Sequence, residues 1–301
     1  MDVSPYLDVR PAPRWVFDLL SERRSRPRFM LPTPDGDWRA VTWWAFARQV
    51  REVALFLSAC GLRHGDRAAL YAPNRVEWAS AALAIQAAGG AMVPVYPAST
   101  PEQASYVVSH GDVRVLFIDT TSVAARVFGA WEAMEGVEKI VTLDDNLDLA
   151  RVLSDARAKG KSVPSDEEVA RKTVAWSDAR AIGANRDKED GKAFERVLHS
   201  IDLHQPAVML YTSGTSGNPK GVPLTHHNVG VNSRDWLSVL GPLLPERGTD
   251  VLWLPMSHIY GWGEMCLGTA LGFTTYCLDP QTVLARLPEV RPDGFMSVPA
   301  Y

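Results

Sequence analysis

The residues with the clearest chemical purpose are Tyr211-Thr212-Ser213-Gly214-Thr215-Ser216-Gly217-Asn218-Pro219-Lys220-Gly221. Gly214, Gly217 and Gly221 permit backbone angles that turn successive N–H groups inward, making a concave nest for anionic oxygens. Thr212, Ser213, Thr215 and Ser216 add hydroxyl donors. Lys220 adds a mobile positive charge, and Pro219 stiffens the turn before it. Such a loop suits phosphate. It is not a Walker A loop: that pattern needs Gly-Lys starting five residues after its first glycine, and five after Gly214 stands Pro219. A flexible Gly/Ser linker is the competing reading, but a linker carries neither a buried strand before it nor Pro-Lys-Gly after it.

A second stretch is Leu254-Pro255-Met256-Ser257-His258-Ile259-Tyr260-Gly261-Trp262. On residue type alone, a lone histidine beside an apolar run is more often structural than catalytic. Trp262 suits core packing as well as any functional role. His226 and His227 are adjacent and lack the glutamate spacing of a zinc helix, so His227 is expected to cap or pack. Cys60, Cys266 and Cys277 have no metal or redox spacing, and an odd count fits a reducing compartment.

These residues need a scaffold. Pro206–Leu210 reads as a buried strand entering the loop, with Pro206 at its first position, and Thr225, Asn228 and a helix over Val229–Leu240 follow. Upstream, a helical pattern covers Arg14–Arg26, and a turn at Pro34–Asp37 leads into a strand at Trp38–Val41. Thr42 caps a helix running to Cys60. Strands are expected at Arg67–Ala72, Ala91–Val95, Val113–Ile118 and Lys139–Leu143. Helices between them open at Asn74 with Glu77, at Thr100-Pro101-Glu102-Gln103, and around Val123–Met134. This alternation predicts an α/β fold with layered, mostly parallel sheets and packed helices.

Asp144–His204 is dense in charge and reads as an inserted helical excursion within one domain. Ser165 and Glu168 cap a helix reaching about Ala184. Beyond the loop, strands are expected at Asp250–Leu254, Phe273–Leu278 and Gly294–Val298, with partly helical Ser257–Leu271 and a short helix from Asp279-Pro280.

Composition narrows the class. Hydrophobic residues make up 46% and charged residues 22%, as in a soluble globular protein. The net charge of −4 gives no case for a nucleic-acid partner. From Trp78 to Pro101 no charged residue occurs, but Gln86, Gly89-Gly90, Pro94 and Pro97 interrupt the run. It reads as helix, turn and strand, not a membrane span. Met1-Asp2-Val3-Ser4-Pro5 lacks the basic and apolar regions of a signal peptide.

Tyr-Thr-Ser-Gly-Thr-Ser-Gly-Asn-Pro-Lys-Gly resembles the phosphate loop of the adenylate-forming superfamily, which includes acyl-CoA synthetases, luciferases and the adenylation domains of peptide synthetases. Pro-Met-Ser-His-Ile-Tyr-Gly-Trp is similar to a stretch of long-chain fatty acyl-CoA synthetases, as are Pro73-Asn74-Arg75-Val76-Glu77-Trp78, Val93-Pro94-Val95-Tyr96-Pro97 and Pro101-Glu102-Gln103. The resemblance runs from about Trp15 to Tyr301. It implies ATP-dependent activation of a fatty acid to acyl-AMP and then acyl-CoA, with ATP, Mg²⁺ and coenzyme A involved. By the same resemblance Thr212–Gly221 hold phosphate, Thr212 helps ligate Mg²⁺, Lys220 and His258 are catalytic, and Trp262 gates the acyl tunnel. Cytoplasmic location follows, with peripheral membrane contact and oligomeric state left open. Tyr260-Gly261-Trp262-Gly263-Glu264 does not match the superfamily's Tyr-Gly-x-Thr-Glu motif, because the threonine is missing and the segment follows the loop too closely.

That motif, the ribose-binding aspartate and the lysine-bearing C-terminal domain are absent. The chain is therefore expected to be the front part of a long-chain fatty acid–CoA ligase, inactive by itself. The alternatives are a non-catalytic nucleotide-binding remnant, or a ligase for medium-chain or aryl acids.

Overall fold

The computed structural model describes residues 1–212 and 218–299. Its strands are β1 (Pro27–Pro32), β2 (Trp38–Thr42), β3 (Arg67–Tyr71), β4 (Ala91–Val95), β5 (Val113–Ile118), β6 (Lys139–Thr142), β7 (Thr173–Ala175), β8 (Pro206–Thr212), β9 (Lys220–Thr225), β10 (Thr249–Leu252) and β11 (Thr274–Cys277). They form a seven-stranded sheet, β7-β6-β5-β3-β4-β8-β9, and a four-stranded sheet, β10-β11-β1-β2. The larger sheet is parallel except for β9, which runs antiparallel to β8. In the smaller one β1 and β10 run parallel to β11, and β2 turns back along β1. The expected α/β class with layered, mostly parallel sheets is what forms.

A parallel sheet must be covered on both faces. One face packs into a core holding Phe46, Trp78, Val208 and Trp262. The other packs Tyr71, Ile118, Phe128 and Ile140. Helix Val76–Ala87 has almost no exposed residue, which explains the uncharged stretch from Trp78. Among the described residues no helix is long and apolar enough to cross a membrane.

Capping residues mark several helix starts as expected. Thr42 accepts from the Ala45 amide at 3.2 Å to open Trp43–Ala59. Thr100 with Gln103 forms the expected capping box, and Thr225 with Asn228 forms another that was not anticipated. Several expectations fail or shift. The helical pattern at Arg14–Arg26 resolves into short helices, Ala12–Phe17 and Leu20–Arg23, and then gives way to β1. The loop does not lead directly into a helix, because β9 intervenes and the helix spans His226–Leu240. Gly294–Val298 contributes one isolated bridge, Asp250 to Gly294, in place of a strand. The short helix after Asp279-Pro280 starts later than expected, at Val283–Val290, with the Asp279 carboxylate accepting from the Gln281 and Thr282 amides in the turn before it.

The charged stretch also differs from a helical excursion. Ser165 caps only Asp166–Lys172. Then β7 joins the large sheet beside β6, and helix Trp176–Glu189 lies against Trp43–Ala59. The contact is closest at Gly183, where a Cβ would sit 1.7 Å from the Glu52 carbonyl oxygen. Arg51 pairs with Asp187 and Glu195, and Arg180 with Glu52, across the same seam. Gly183→Ala is therefore expected to destabilise the whole chain by about 1–3 kcal/mol or more. The check is the urea midpoint: a single transition shifted to lower urea, with unchanged slope, shows that this segment unfolds with the sheet. An unshifted midpoint would mean that it does not.

Candidate active site

Strand β8 delivers Tyr211 and Thr212 to the carboxyl end of its parallel neighbours, where open α/β sheets present ligand sites. Strand β9 returns from there, with Thr212 opposite Lys220 and Tyr211 opposite Gly221. The two ends of the phosphate-type loop are thus held side by side by an antiparallel strand pair at the sheet edge. Ser213, Gly214, Thr215, Ser216 and Gly217 lie outside the described residues. Pro223 is tolerated inside β9 because that strand is at the edge, where a missing N–H breaks no second ladder.

Beside this strand pair lies a cleft of about 610 Å³. Thr212 and Pro219 reach it from the two ends of the loop, His258 and Ser257 from the segment before helix Ile259–Leu271, and Tyr96 and Gln103 from the end of β4 and the helix after it. Three sequence-identified residues, Thr212, Pro219 and His258, therefore share one space. Asn218 and Lys220 are exposed next to it, and Gly221 is half-buried against Met209 and Tyr211. The sequence reading did not single out Tyr96, Gln103 or Ser257 as site residues.

His258 is the N-cap of its helix. Its Nδ1 accepts from the Tyr260 amide at 3.2 Å, so the neutral ring carries its proton on Nε2. The Tyr96 ring stands edge-on to it at 6.4 Å. The Ser257 hydroxyl is buried and has no hydrogen-bond partner among the described residues. His227 stacks on His204 at 5.4 Å.

Asn74 fixes this segment. It was expected to cap the following helix, but that helix begins at Val76 without a side-chain cap. Asn74 instead donates through Nδ2 to the Leu254 carbonyl and accepts through Oδ1 from the Met256 amide, both at 2.8 Å. A single amide side chain satisfies two backbone groups just before His258. Asn74→Ala leaves both groups unpaired. It should cost about 1–3 kcal/mol, read as a lowered thermal midpoint; no change would mean water replaces the amide at no cost.

Trp262 is fully buried, with its ring 5.9 Å from that of Trp78. It also borders a second cavity of about 340 Å³, together with Ile259, Tyr260 and Trp236. Ile259 borders the cleft as well. A third cavity, about 300 Å³, shares Trp236, Tyr260, Leu267 and Met296 with the second and is lined by Asp250 and Glu264. The three spaces follow helix Ile259–Leu271 in series.

A scan of family models matches the AMP-binding enzyme family over residues 21–301. The chain belongs to the AMP-binding enzymes. It is 31% identical over 276 residues to the long-chain-fatty-acid–CoA ligase FadD15 of Mycobacterium bovis, covering 88% of this chain and 40% of that protein. It is 27% identical over 294 residues to the mouse long-chain-fatty-acid–CoA ligase ACSBG2, covering 94% of this chain and 40% of that one. The chain thus spans about two-fifths of the length of these relatives. Among solved structures, the inhibitor-bound N-terminal domain of FACL13 from Mycobacterium tuberculosis superposes with a TM-score of 0.65 at 20% identity, covering 97% of this chain and 63% of that one. At that identity the likeness speaks for the fold.

AMP-binding enzymes that make acyl-CoA consume ATP and coenzyme A, and Mg²⁺ accompanies ATP. Mg²⁺ keeps several waters and takes phosphate oxygens together with one or two protein ligands. Among the described residues no group of three or more His, Cys, Asp or Glu could cage a metal. The exposed Thr212 hydroxyl at the cleft fits the lesser demand of one oxygen beside a nucleotide.

Within this AMP-binding chain Glu264 is the most perturbed acid. It is 2% exposed, and among the described residues neither carboxylate oxygen has a hydrogen bond of good geometry. Burial pushes its pKa up to about 9, the neighbouring Asp250 charge adds to this, and the Met296 amide offsets a little. Between the unfolded value of 4.5 and about 9 the unfolded chain releases this proton while the folded chain keeps it, so stability falls as pH rises through that window. Glu264→Gln should therefore raise stability by about 2–4 kcal/mol at pH 7 and change it little at pH 4. Denaturation at both pH values is the check; an equal shift at both would mean the carboxyl is ionised when folded.

Proposed function

We propose that this chain serves an ATP-dependent ligase that activates a long-chain fatty acid, first to acyl-AMP and then to acyl-CoA. The observation that carries this is the shared cleft: both ends of the phosphate-type loop meet His258 in one space, and two largely apolar cavities that share lining residues stand next along the same helix, which we read as an acyl path. A carboxylate oxygen attacks the α-phosphorus of ATP and pyrophosphate departs. The coenzyme A thiol then attacks the acyl carbonyl and AMP departs. Catalysis of both steps is mainly placement and stabilisation of charge.

In this reading Thr212–Gly221, with Asn218 and Pro219, cradle the β- and γ-phosphates. Lys220 neutralises the charge developing on pyrophosphate, and the Thr212 hydroxyl would hold Mg²⁺. His258, with its Nε2 proton, lies beside the reacting carboxylate and donates to an oxygen there. Trp262 borders the entrance to the acyl path and gates it. Burying the tail contributes roughly 0.8 kcal/mol per methylene, which favours long acids over acetate.

The test is acid-dependent exchange of pyrophosphate into ATP by the protein carrying this chain, run with long acids and with acetate. Exchange should require a long acid, and Lys220→Ala should reduce it by about 100-fold. No exchange with any acid would remove the proposal, and equal exchange with acetate would remove the roles of Trp262 and the apolar path.

A further inference from the structure

The third cavity is apolar along most of its wall, through Trp236, Leu267, Leu271 and Phe273, yet two acids border it. Glu264 is 2% exposed, and among the described residues neither oxygen meets a donor in good hydrogen-bond geometry, the Met296 amide acting on it only weakly. Leaving a buried polar group unpaired costs about 1–3 kcal/mol, more if it is charged. Asp250 stands on the same wall, its Oδ1 accepting from the Thr275 hydroxyl. Gly268 makes room for it: a Cβ there would lie 2.6 Å from Asp250 Oδ2. Asp250 balances the buried Arg28 charge, but a path that only receives a methyl-ended chain gains nothing from Glu264.

We propose that Glu264 and Asp250 form a polar end to the acyl path and select a fatty acid that carries a hydroxyl group on its distal tail. This rests on the fatty-acid reading of the cleft. A protonated carboxyl donates one hydrogen bond and accepts others, so a hydroxyl can receive the Glu264 proton and give its own to a carboxylate oxygen. The charges here already balance: the Arg28 guanidinium faces Asp250 through Thr275. A neutral hydroxyl preserves that balance, whereas an ammonium group adds an uncompensated charge and must shed its water. The distance is compatible with a tail of some length, since the six residues from His258 to Glu264 rise about 9 Å along the helix.

A site built to hydrogen-bond a hydroxyl rejects the analogue that lacks it far more strongly than one methylene can be discriminated. The experiment is calorimetric titration of the full chain with octanoic, dodecanoic and hexadecanoic acids, each beside its ω-hydroxy and ω-amino counterpart. At one or more lengths the hydroxy acid is expected to bind at least about tenfold more tightly than the plain acid. In Glu264→Leu that order should reverse, while Glu264→Gln, which still donates and accepts, should keep it. Wild-type protein that binds plain acids as tightly as hydroxy acids at every length would overturn the proposal and leave the fatty-acid reading standing. So would preferential binding of the amino acids, or a hydroxyl preference that survives in Glu264→Leu. Should neither plain nor hydroxylated acids bind, and no acid support pyrophosphate exchange, the fatty-acid reading falls and this proposal with it.

Discussion

A guanidinium with no access to water must find every partner inside the protein, and Arg28 on β1 is such a group. It donates to the Thr275 hydroxyl on β11, and to the Met265 carbonyl and the Thr269 hydroxyl of helix Ile259–Leu271. Thr275 in turn donates to Asp250 on β10. One side chain thereby ties three strands of the small sheet to the helix that carries His258 and Trp262. Burial lowers its pKa to about 10, against the opposing pull of Asp250, so it stays charged at neutral pH. Removing one partner from such a cluster costs several kcal/mol, because the remaining charge is left buried and uncompensated. Arg23 adds to the same helix, donating to the Thr269 and Ala270 carbonyls at its C-terminal end, where the helix dipole favours a cation.

The cleft lies where the two sheets meet. Thr212 and Pro219 come from the strand pair at the edge of the large sheet, His258 from the segment following the small sheet's β10. Their separation is set by how the sheets pack. Asn74, between β3 and its following helix, grips the backbone at Leu254 and Met256 and couples the two layers a few residues from His258. A phosphate loop and a histidine that are distant in sequence thus share one space without a rigid covalent link.

Much of this was legible in the sequence, and what was not has specific physical reasons. The parallel strands β3 to β6 read clearly, because strands buried on both faces are continuous apolar runs between capped helices. Strand β1 did not: it holds a charged residue between two prolines and depends on pairing with β11, far away in the chain. Strand β9 contains Gly221 and Pro223, which argue against a strand anywhere but at an edge. Strand β7 is three residues long and sits between charged helices, so only its place beside β6 reveals it. At the site, the spacing of Asn74 and Glu77 imitated a capping box, and nothing local could show that the amide's partners lie 180 and 182 residues away. Thr212, Pro219 and His258 were identifiable from residue type and motif; Tyr96, Gln103 and Ser257 reach the cleft only through tertiary packing.

The same cluster that assembles the small sheet also sets the chemistry of the innermost acids. Burial raises the Asp250 pKa to about 6, and the Arg28 charge is what keeps it from rising further. The guanidinium, reached through Thr275, thus favours the ionised form of Asp250 against its burial. The Asp250 charge then acts on Glu264, adding to the burial that already holds that carboxyl in its neutral form. Two carboxyl groups in one cavity are pushed apart in pKa because only one of them faces a guanidinium. The fold could have filled this space with apolar side chains of similar volume at little cost to stability. Keeping a poorly partnered acid on the wall of a largely apolar cavity instead gives up stability for a hydrogen-bonding group, which has physical value only when something polar arrives to meet it.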